Sequence, residues 1–159
     1  MKVRAARDAD AERCAEIYAP FVLDTWISFE TVPPDAAEVR QRIRSAHLWL
    51  VAEDEEGRIA GYGYATRHRE RAAYARSADV SVYVDPLHAR KGFGRKVYEV
   101  LLPEIKRQGL HAAFAGIALP NAPSIGLHEA MGFESVGIYR EVGWKLDGWR
   151  DVGWWQRIL

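Results

Sequence analysis

The sequence predicts an α+β fold: a mixed sheet of about seven strands, with helices packed on both faces. Three observations carry this. Strand-like runs of period two and helical runs of period 3.6 share the 159 residues. Some neighbouring strands are joined by short hairpin turns, while others are separated by helix-length crossovers. The order (strand, two helices, three strands, helix, strand, helix, two strands) also lacks the strict alternation of a doubly wound parallel sheet. With no internal repeat or low-complexity segment, residues 1–159 read as a single domain.

A first strand covers residues 3–6. Asp8 follows as an N-cap, and Ala11, Cys14, Ala15 and Tyr18 recur at helical spacing. Cys14, the single cysteine, reads as a small buried hydrophobe, and being alone it excludes an intrachain disulfide or a CxxC site. Pro33-Pro34 marks a turn before a second helix, which starts near Asp35 and ends before His47. Leu48-Trp49-Leu50-Val51-Ala52 is a buried strand, Glu56-Gly57 a tight turn, and residues 59–65 the hairpin partner. In that partner Gly61 and Gly63 alternate with Tyr62 and Tyr64, so one face is bare and open to close approach by a backbone or a ligand. Val80-Ser81-Val82-Tyr83-Val84 is the next strand, stopped by Asp85-Pro86. A helix from about Gly92 to Arg107 ends at Gly109, a C-cap glycine. A strand over residues 112–118, a helix from about Ala122 to Met131 and a strand from Phe133 follow. Asp147-Gly148 then turns the chain into a last strand.

Lys plus Arg and Asp plus Glu number 22 each. No net field draws polyanions, which argues against nucleic acid or an anionic membrane as the main partner. No run approaches the roughly 18 uninterrupted apolar residues of a membrane span, and Met1-Lys2-Val3-Arg4 leads straight into charged sequence. The expectation is a soluble cytoplasmic protein.

The strongest chemical signal is His88-Ala89-Arg90-Lys91-Gly92-Phe93-Gly94-Arg95-Lys96. It lies between a strand and a helix, so Gly92 and Gly94 occupy the helix entrance, where backbone N–H groups converge on an anion. Arg90, Lys91, Arg95 and Lys96 crowd a helix end whose dipole disfavours cations, which points to a bound anion. A P-loop needs GxxxxGK[ST], which is absent. A dinucleotide fingerprint needs a third glycine where Val97 stands, and residues 112–118 lack the acidic residue for a ribose. A capped, solvated basic turn is the bland reading; pyrophosphate binding fits the context better.

Downstream, Ala118-Leu119-Pro120-Asn121-Ala122-Pro123-Ser124 leads into Leu127-His128-Glu129-Ala130-Met131-Gly132-Phe133. With the R-K-G-F-G turn, this resembles the GNAT N-acetyltransferase superfamily. Ser28-Phe29-Glu30, Arg71-Ala72-Ala73-Tyr74, Ser81-Val82-Tyr83-Val84, Leu127-His128-Glu129 and the Trp-rich tail resemble its phosphinothricin and methionine sulfoximine acetyltransferase group. The resemblance spans nearly the whole chain. It implies the GNAT acyl-CoA N-acyltransferase fold, acetyl-CoA as the acetyl donor, no metal, a small amine acceptor and a homodimer. It further implies that Val82, Tyr83 and Val84 bond the pantetheine arm. Arg90, Lys91, Gly92, Phe93, Gly94, Arg95 and Lys96 would hold the pyrophosphate, and Asn121 and Ser124 would lie near the arm.

A protonated amine cannot attack a thioester until a base takes its proton, and the resulting oxyanion needs preorganised donors. By resemblance the base position is Asp79, where the group has glutamate; aspartate reaches about 1.5 Å less. The alternative is a carboxylate that merely ends a loop. His128 stands where many GNAT enzymes place a tyrosine acid, and is otherwise a helix histidine bonded to backbone. Phe29, Glu30, Arg71 and Tyr74 match the group's acceptor region, and an arginine there suits a carboxylate. Arg76 replaces the group's usual Trp, and Ala89 replaces a common Gln or Arg. Two other readings remain open: a protein N-terminal or lysine acetyltransferase, and a CoA-binding module without catalysis.

Overall fold

The computed structural model describes residues 1–159. Seven strands form one sheet: β1 (Lys2–Ala5), β2 (Leu48–Glu53), β3 (Ile59–Arg67), β4 (Ser77–Val84), β5 (Ala112–Ala118), β6 (Glu134–Trp144) and β7 (Trp149–Ile158). Their order across the sheet is β1-β2-β3-β4-β5-β7-β6. Every neighbouring pair is antiparallel except β4 and β5, which the helical crossover makes parallel.

Helices α1 (Ala11–Asp24) and α2 (Ala36–Ser45) cover one face of the sheet. Their core joins Cys14, Ile17 and Val22 to Trp49, Val51 and Tyr62. Helices α3 (Phe93–Arg107) and α4 (Ala122–Ala130) lie on the other face. There Val97, Tyr98, Leu101 and Ile105 pack on Leu50, Ala65, Val80, Ala113 and Ile117, with Leu127 of α4 alongside. The predicted mixed sheet with helices on both faces is the one observed. No helix is long and apolar enough to cross a membrane.

Several local readings meet a physical cause. Cys14 is fully buried, and burial pushes its thiol up to about 12, as befits a hydrophobe rather than a nucleophile. The bare face of β3 admits protein: a Cβ at Gly63 would stand 2.6 Å from Val97 Cγ1 of α3. Gly109 takes φ 94° after α3, and the Leu110 amide reaches back 3.1 Å to the Ile105 carbonyl. Asp8 does not cap α1. It opens a 3₁₀ turn over Asp8–Asp10, and Asp10 takes the Arg7 amide at 2.7 Å and two bonds from Arg4.

Two strand boundaries move, and both matter for the site. β3 continues two residues beyond 65, to Arg67, and β4 starts at Ser77 rather than Val80. Ala78 and Asp79 have poor strand propensity, but pairing with β3 and β5 overrides it. Asp79 therefore lies within a strand and not at the end of a loop.

Candidate active site

Residues of β4 pair with β5 only through Ser77–Ala112, Ala78–Ala113 and Asp79–Phe114. Beyond Asp79 the strands part. β4 keeps its register with β3 as far as Val84, and β5 keeps its own with β7 as far as Ala118. The β5-facing edge of residues 80–84 thus presents peptide groups with no strand to meet them. A narrow cleft of about 50 Å³ lies in the opening, lined by Val80, Ser81, Val82 and Tyr83 on one wall and residues 115–118 on the other. Ile27, Asn121, Ser124 and His128 complete it.

At the far end of β4 is the basic turn. Asp85 accepts the Leu87 amide at 2.9 Å, and a 3₁₀ turn over Pro86–His88 leads to Arg90 (φ 63°) and Gly92 (φ 83°). Gly92 is the N-cap of α3 and supplies no side-chain cap, so the amides of the first turn point outward without an intrahelical acceptor. Arg90 and Lys91 are exposed. Arg95 and Lys96 both bond Glu99, at 3.2 Å each. Phe93 and Gly94 face inward: Phe93 is buried against His88, and a Cβ at Gly94 would stand 3.1 Å from Leu127 and 3.3 Å from Val82. Among the residues expected at the phosphate, Gly92 and its amide neighbours offer donors, Arg90 and Lys91 offer free cations, and Phe93 and Gly94 set the helix on the sheet.

The start of α4 is built for the same cleft. Asn121 caps it, its Oδ1 accepting the Ser124 amide at 3.2 Å. His128 is buried, with Nδ1 2.7 Å from the Ser124 carbonyl and Nε2 2.8 Å from the Tyr98 hydroxyl. A carbonyl can only accept, so Nδ1 carries the proton and Nε2 accepts from Tyr98. Burial lowers the pKa of His128 and keeps the ring neutral.

Asp79 marks the vertex of the opening, on the face opposite α3. Burial raises its pKa above the usual aspartate value, against the pull of His68 and Arg69. His68 Nδ1 lies 2.6 Å from Asp79 Oδ1, and the His68 ring stacks on Phe114 at 4.5 Å. On this face α1 and α2 stop short of β5, β7 and β6. A depression of about 320 Å³ remains, walled by His68, Arg69, Phe114, Tyr139 and Trp154 among others. Tyr74 meets His68 edge-on at 5.7 Å, and Arg71 is exposed in the same connection.

Phe29 and Glu30 lie in the α1–α2 connection, which reaches the cleft through Ile27. Glu30 accepts two bonds from Arg42, at 2.9 and 2.6 Å, and one from the Tyr18 hydroxyl. Arg42 above all holds its carboxyl below the usual range. Lys145, buried at the end of β6, donates to the Ser28 carbonyl, and the Phe29 ring occupies the space a side chain at Gly143 would need. Glu30 thus ties α1 to α2, and the pair Phe29–Glu30 anchors the connection against the β6–β7 hairpin.

Sequence reasoning passed over His68, which lies beyond the strand read over residues 59–65. Only the register of β3 against β4, Thr66 opposite Asp79, brings it to the carboxylate. Ile27 and Lys145 were also missed, and no local pattern marks either. No group of three or more His, Cys, Asp or Glu is placed to hold a metal.

A mixed sheet that splays at its one parallel pair, with an uncapped basic helix entrance at the end of the opening, fits the acyl-CoA-dependent transferase that the resemblance implies. The chain belongs to the GNAT acetyltransferase family, whose acetyltransferase (GNAT) domain matches residues 3–154, and it is an acetyl-CoA-dependent N-acetyltransferase. It is 38% identical to a phosphinothricin N-acetyltransferase of Streptomyces viridochromogenes, over 99% of this chain and 87% of that protein. It is 36% identical to an L-methionine sulfoximine/L-methionine sulfone acetyltransferase of Salmonella typhimurium, over 100% and 95%. Among solved structures, a phosphinothricin acetyltransferase from Sinorhizobium meliloti in complex with acetyl-CoA superposes with a TM-score of 0.95 at 33% identity, covering 99% and 88% of the two chains. A ribosomal-protein-alanine N-acetyltransferase from Brucella melitensis also gives 0.95, at 31% identity and 100% coverage of both.

Proposed function

We propose that this enzyme transfers the acetyl group of acetyl-CoA to the amine of a small amino-acid-like acceptor, of the methionine sulfoximine, methionine sulfone or phosphinothricin type. The observation that carries this is the opening of the sheet at Asp79–Phe114, with a partly buried carboxylate at its vertex and an open, aromatic-lined depression beyond. The names of the relatives support the acceptor class, and the size of the depression suits a small molecule better than a protein tail. The Brucella neighbour's name favours a second reading, a protein N-terminus as acceptor.

In this reading the pantetheine arm lies along Val82, Tyr83 and Val84, completing the edge that β5 leaves. Arg90 and Lys91, the free amides from Gly92 to Arg95 and the Lys96 ammonium take the pyrophosphate, while Asn121 and Ser124 border the arm. Asp79 supplies the basic carboxylate, directly or through water, and β4 amides stabilise the oxyanion. Phe29, Glu30, Arg71 and Tyr74 bound the acceptor side, with Arg71 free to meet an acceptor carboxylate. We read residues 1–159 as one domain, since one sheet joins β1 to β7. A cytoplasmic location fits the metabolite chemistry. A homodimer is supported by β6, where Val136, Ile138, Tyr139, Val142 and Trp144 are all more than half exposed, a large apolar area for a free surface.

His128 belongs here as a neutral fastener of α4, in place of the acid its position suggested. Replacing it by alanine removes the acceptor of a buried tyrosine hydroxyl and leaves a cavity, at a cost of about 2–4 kcal/mol. Urea unfolding of His128→Ala should show that loss, with kcat changed only a few-fold. An acid role requires the reverse, a large kcat loss in a stable protein. The pH dependence follows from the lowered pKa: the unfolded chain takes the proton first as pH falls below the ordinary histidine value of about 6.5. Stability contributed by this group is therefore present above that pH and lost below it, and the His128→Ala protein should lack this part of the acid sensitivity.

The function itself is tested by acetyl-CoA-dependent thiol release with free amino acids, methionine sulfoximine, phosphinothricin and short peptides. Release with one of the small acceptors is expected. Release with peptides alone would move the assignment to protein acetylation.

A further inference from the structure

Aspartate at the vertex is a carbon short of the glutamate the resemblance leads one to expect, and the structure places a second group against it. His68 follows the last residue of β3. Its Nδ1 meets Asp79 Oδ1 at 2.6 Å, while Nε2 has no partner in the chain and is not sealed from solvent. The ring is held from three sides: stacked on Phe114 at 4.5 Å, edge-on to Tyr74 at 5.7 Å and edge-on to Trp154 at 6.4 Å. Phe114 is also the last residue of β5 paired with β4, so the ring sits at the point where the strands part. It lines the acceptor-side depression, which Asp79 itself does not.

We propose that His68 and Asp79 act as one proton-accepting pair, His68 Nε2 taking the proton of the acceptor ammonium and Asp79 holding the imidazole through Nδ1–H. This rests on the reading that the acceptor is a small amine bound in the depression. The step balances simply. R–NH₃⁺ gives one proton to Nε2, leaving an imidazolium beside the Asp79 carboxylate. The free amine then attacks the thioester carbonyl: the C–N bond forms, the C–S bond breaks, and CoA leaves as thiolate. The second proton on the attacking nitrogen goes to that thiolate, and the imidazolium returns its proton to solvent. The imidazole bridges the reach that aspartate lacks, and burial of Asp79 fixes the pair's orientation.

The groups facing His68 are few. Asp79 on β4 is the anion bonded to it, Tyr74 lies edge-on to it, and Tyr139 of β6 lines the same depression. Arg69 is an adjacent cation; its Nη1 donates to the His68 carbonyl at 2.8 Å, and its guanidinium lies 6.0 Å from the Trp154 ring centre. Phe114 and Trp154 carry no charge.

Two measurements test the pair. The first needs no acceptor: nitrogen NMR of the ¹⁵N-histidine-labelled wild-type protein near neutral pH. A protonated Nδ1 and a bare Nε2 on His68 are expected, and a protonated Nε2 with a bare Nδ1 overturns the proposal, because the proton would then sit on Asp79. The second compares the wild type with His68→Phe, which keeps the stack on Phe114. We expect kcat to fall about 100-fold, with acetyl-CoA KM unchanged and the acidic limb of the kcat/KM profile displaced. Turnover within about two-fold of wild type, with that limb in place, would mean Asp79 works without His68. If no acceptor turns over even with the wild-type protein, the acetyl-transfer reading fails, while the nitrogen spectrum still decides the pair.

Discussion

Asp79→Asn is expected to lower kcat by about 10²–10⁴-fold while acetyl-CoA binds as before. The two effects separate because of where Asp79 lies. It is the last β4 residue paired to β5, so it stands at the vertex and not along the cleft walls proposed for the cofactor. Asparagine keeps the shape and an oxygen to accept the His68 Nδ1–H, so neither strand register nor the ring's position should change. Nor should stability fall much. Burial raises the pKa of the native carboxyl, so the charge is held at a desolvation cost that the amide avoids. The measurement is steady-state kinetics across a pH series beside calorimetric titration of acetyl-CoA. Equal turnover at every pH would remove Asp79 from the chemistry. Loss of acetyl-CoA affinity along with turnover would make it a structural residue of the sheet.

Gly94→Val should produce the other large effect, this time on the cofactor. Gly94 is the second residue of α3, and its Cα packs into the space between Val82 and Leu127. A Cβ alone would lie 3.1 Å from Leu127 Cδ2 and 3.3 Å from Val82 Cγ1, and the branches of valine reach further. Either α3 lifts from the sheet or Val82 is pushed toward the cleft. Such overpacking costs about 1–3 kcal/mol, and because Val82 lines the cleft, part of that cost appears as weaker binding. A fall of about ten-fold or more in acetyl-CoA affinity corresponds to about 1.4 kcal/mol. Lys106→Ala is the control on the same helix: its side chain is exposed in the last turn, far from the entrance, so its loss should leave affinity nearly unchanged. Equal affinity for Gly94→Val and the parent would show that the helix entrance tolerates displacement and that the amides of the turn are not fixed by this packing.

The elements themselves were legible because their signals are local. Gly57, Gly92, Gly109 and Gly132 all take positive φ at the turns and helix ends where sequence reading placed breaks. The helical spacing of Ala11, Cys14 and Tyr18 marked the buried side of α1 before any partner was known. The anion-binding entrance needed only nine consecutive residues, His88 to Lys96, to be recognised. Family resemblance then added the donor, acetyl-CoA, and the approximate address of the site.

The surroundings of Asp79 were not legible, for a reason that lies in pairing at a distance. Whether β4 begins at Ser77 or Val80 depends on Arg67 and Thr66 from one strand and on Ala112, Ala113 and Phe114 from another. That pairing makes Asp79 a strand residue at the vertex, and by the same register brings His68 onto its carboxylate. His128 shows the same limit in the other direction. Its helix position suggested an acid, but Tyr98, thirty residues earlier on another helix, closes its free nitrogen. Sequence alone determined which elements form and where an anion would sit, because backbone preference and charge act over a few neighbours. Only the tertiary structure decided which side chains meet at the vertex, because a hydrogen bond forms between groups that the sheet, and not the chain, makes adjacent.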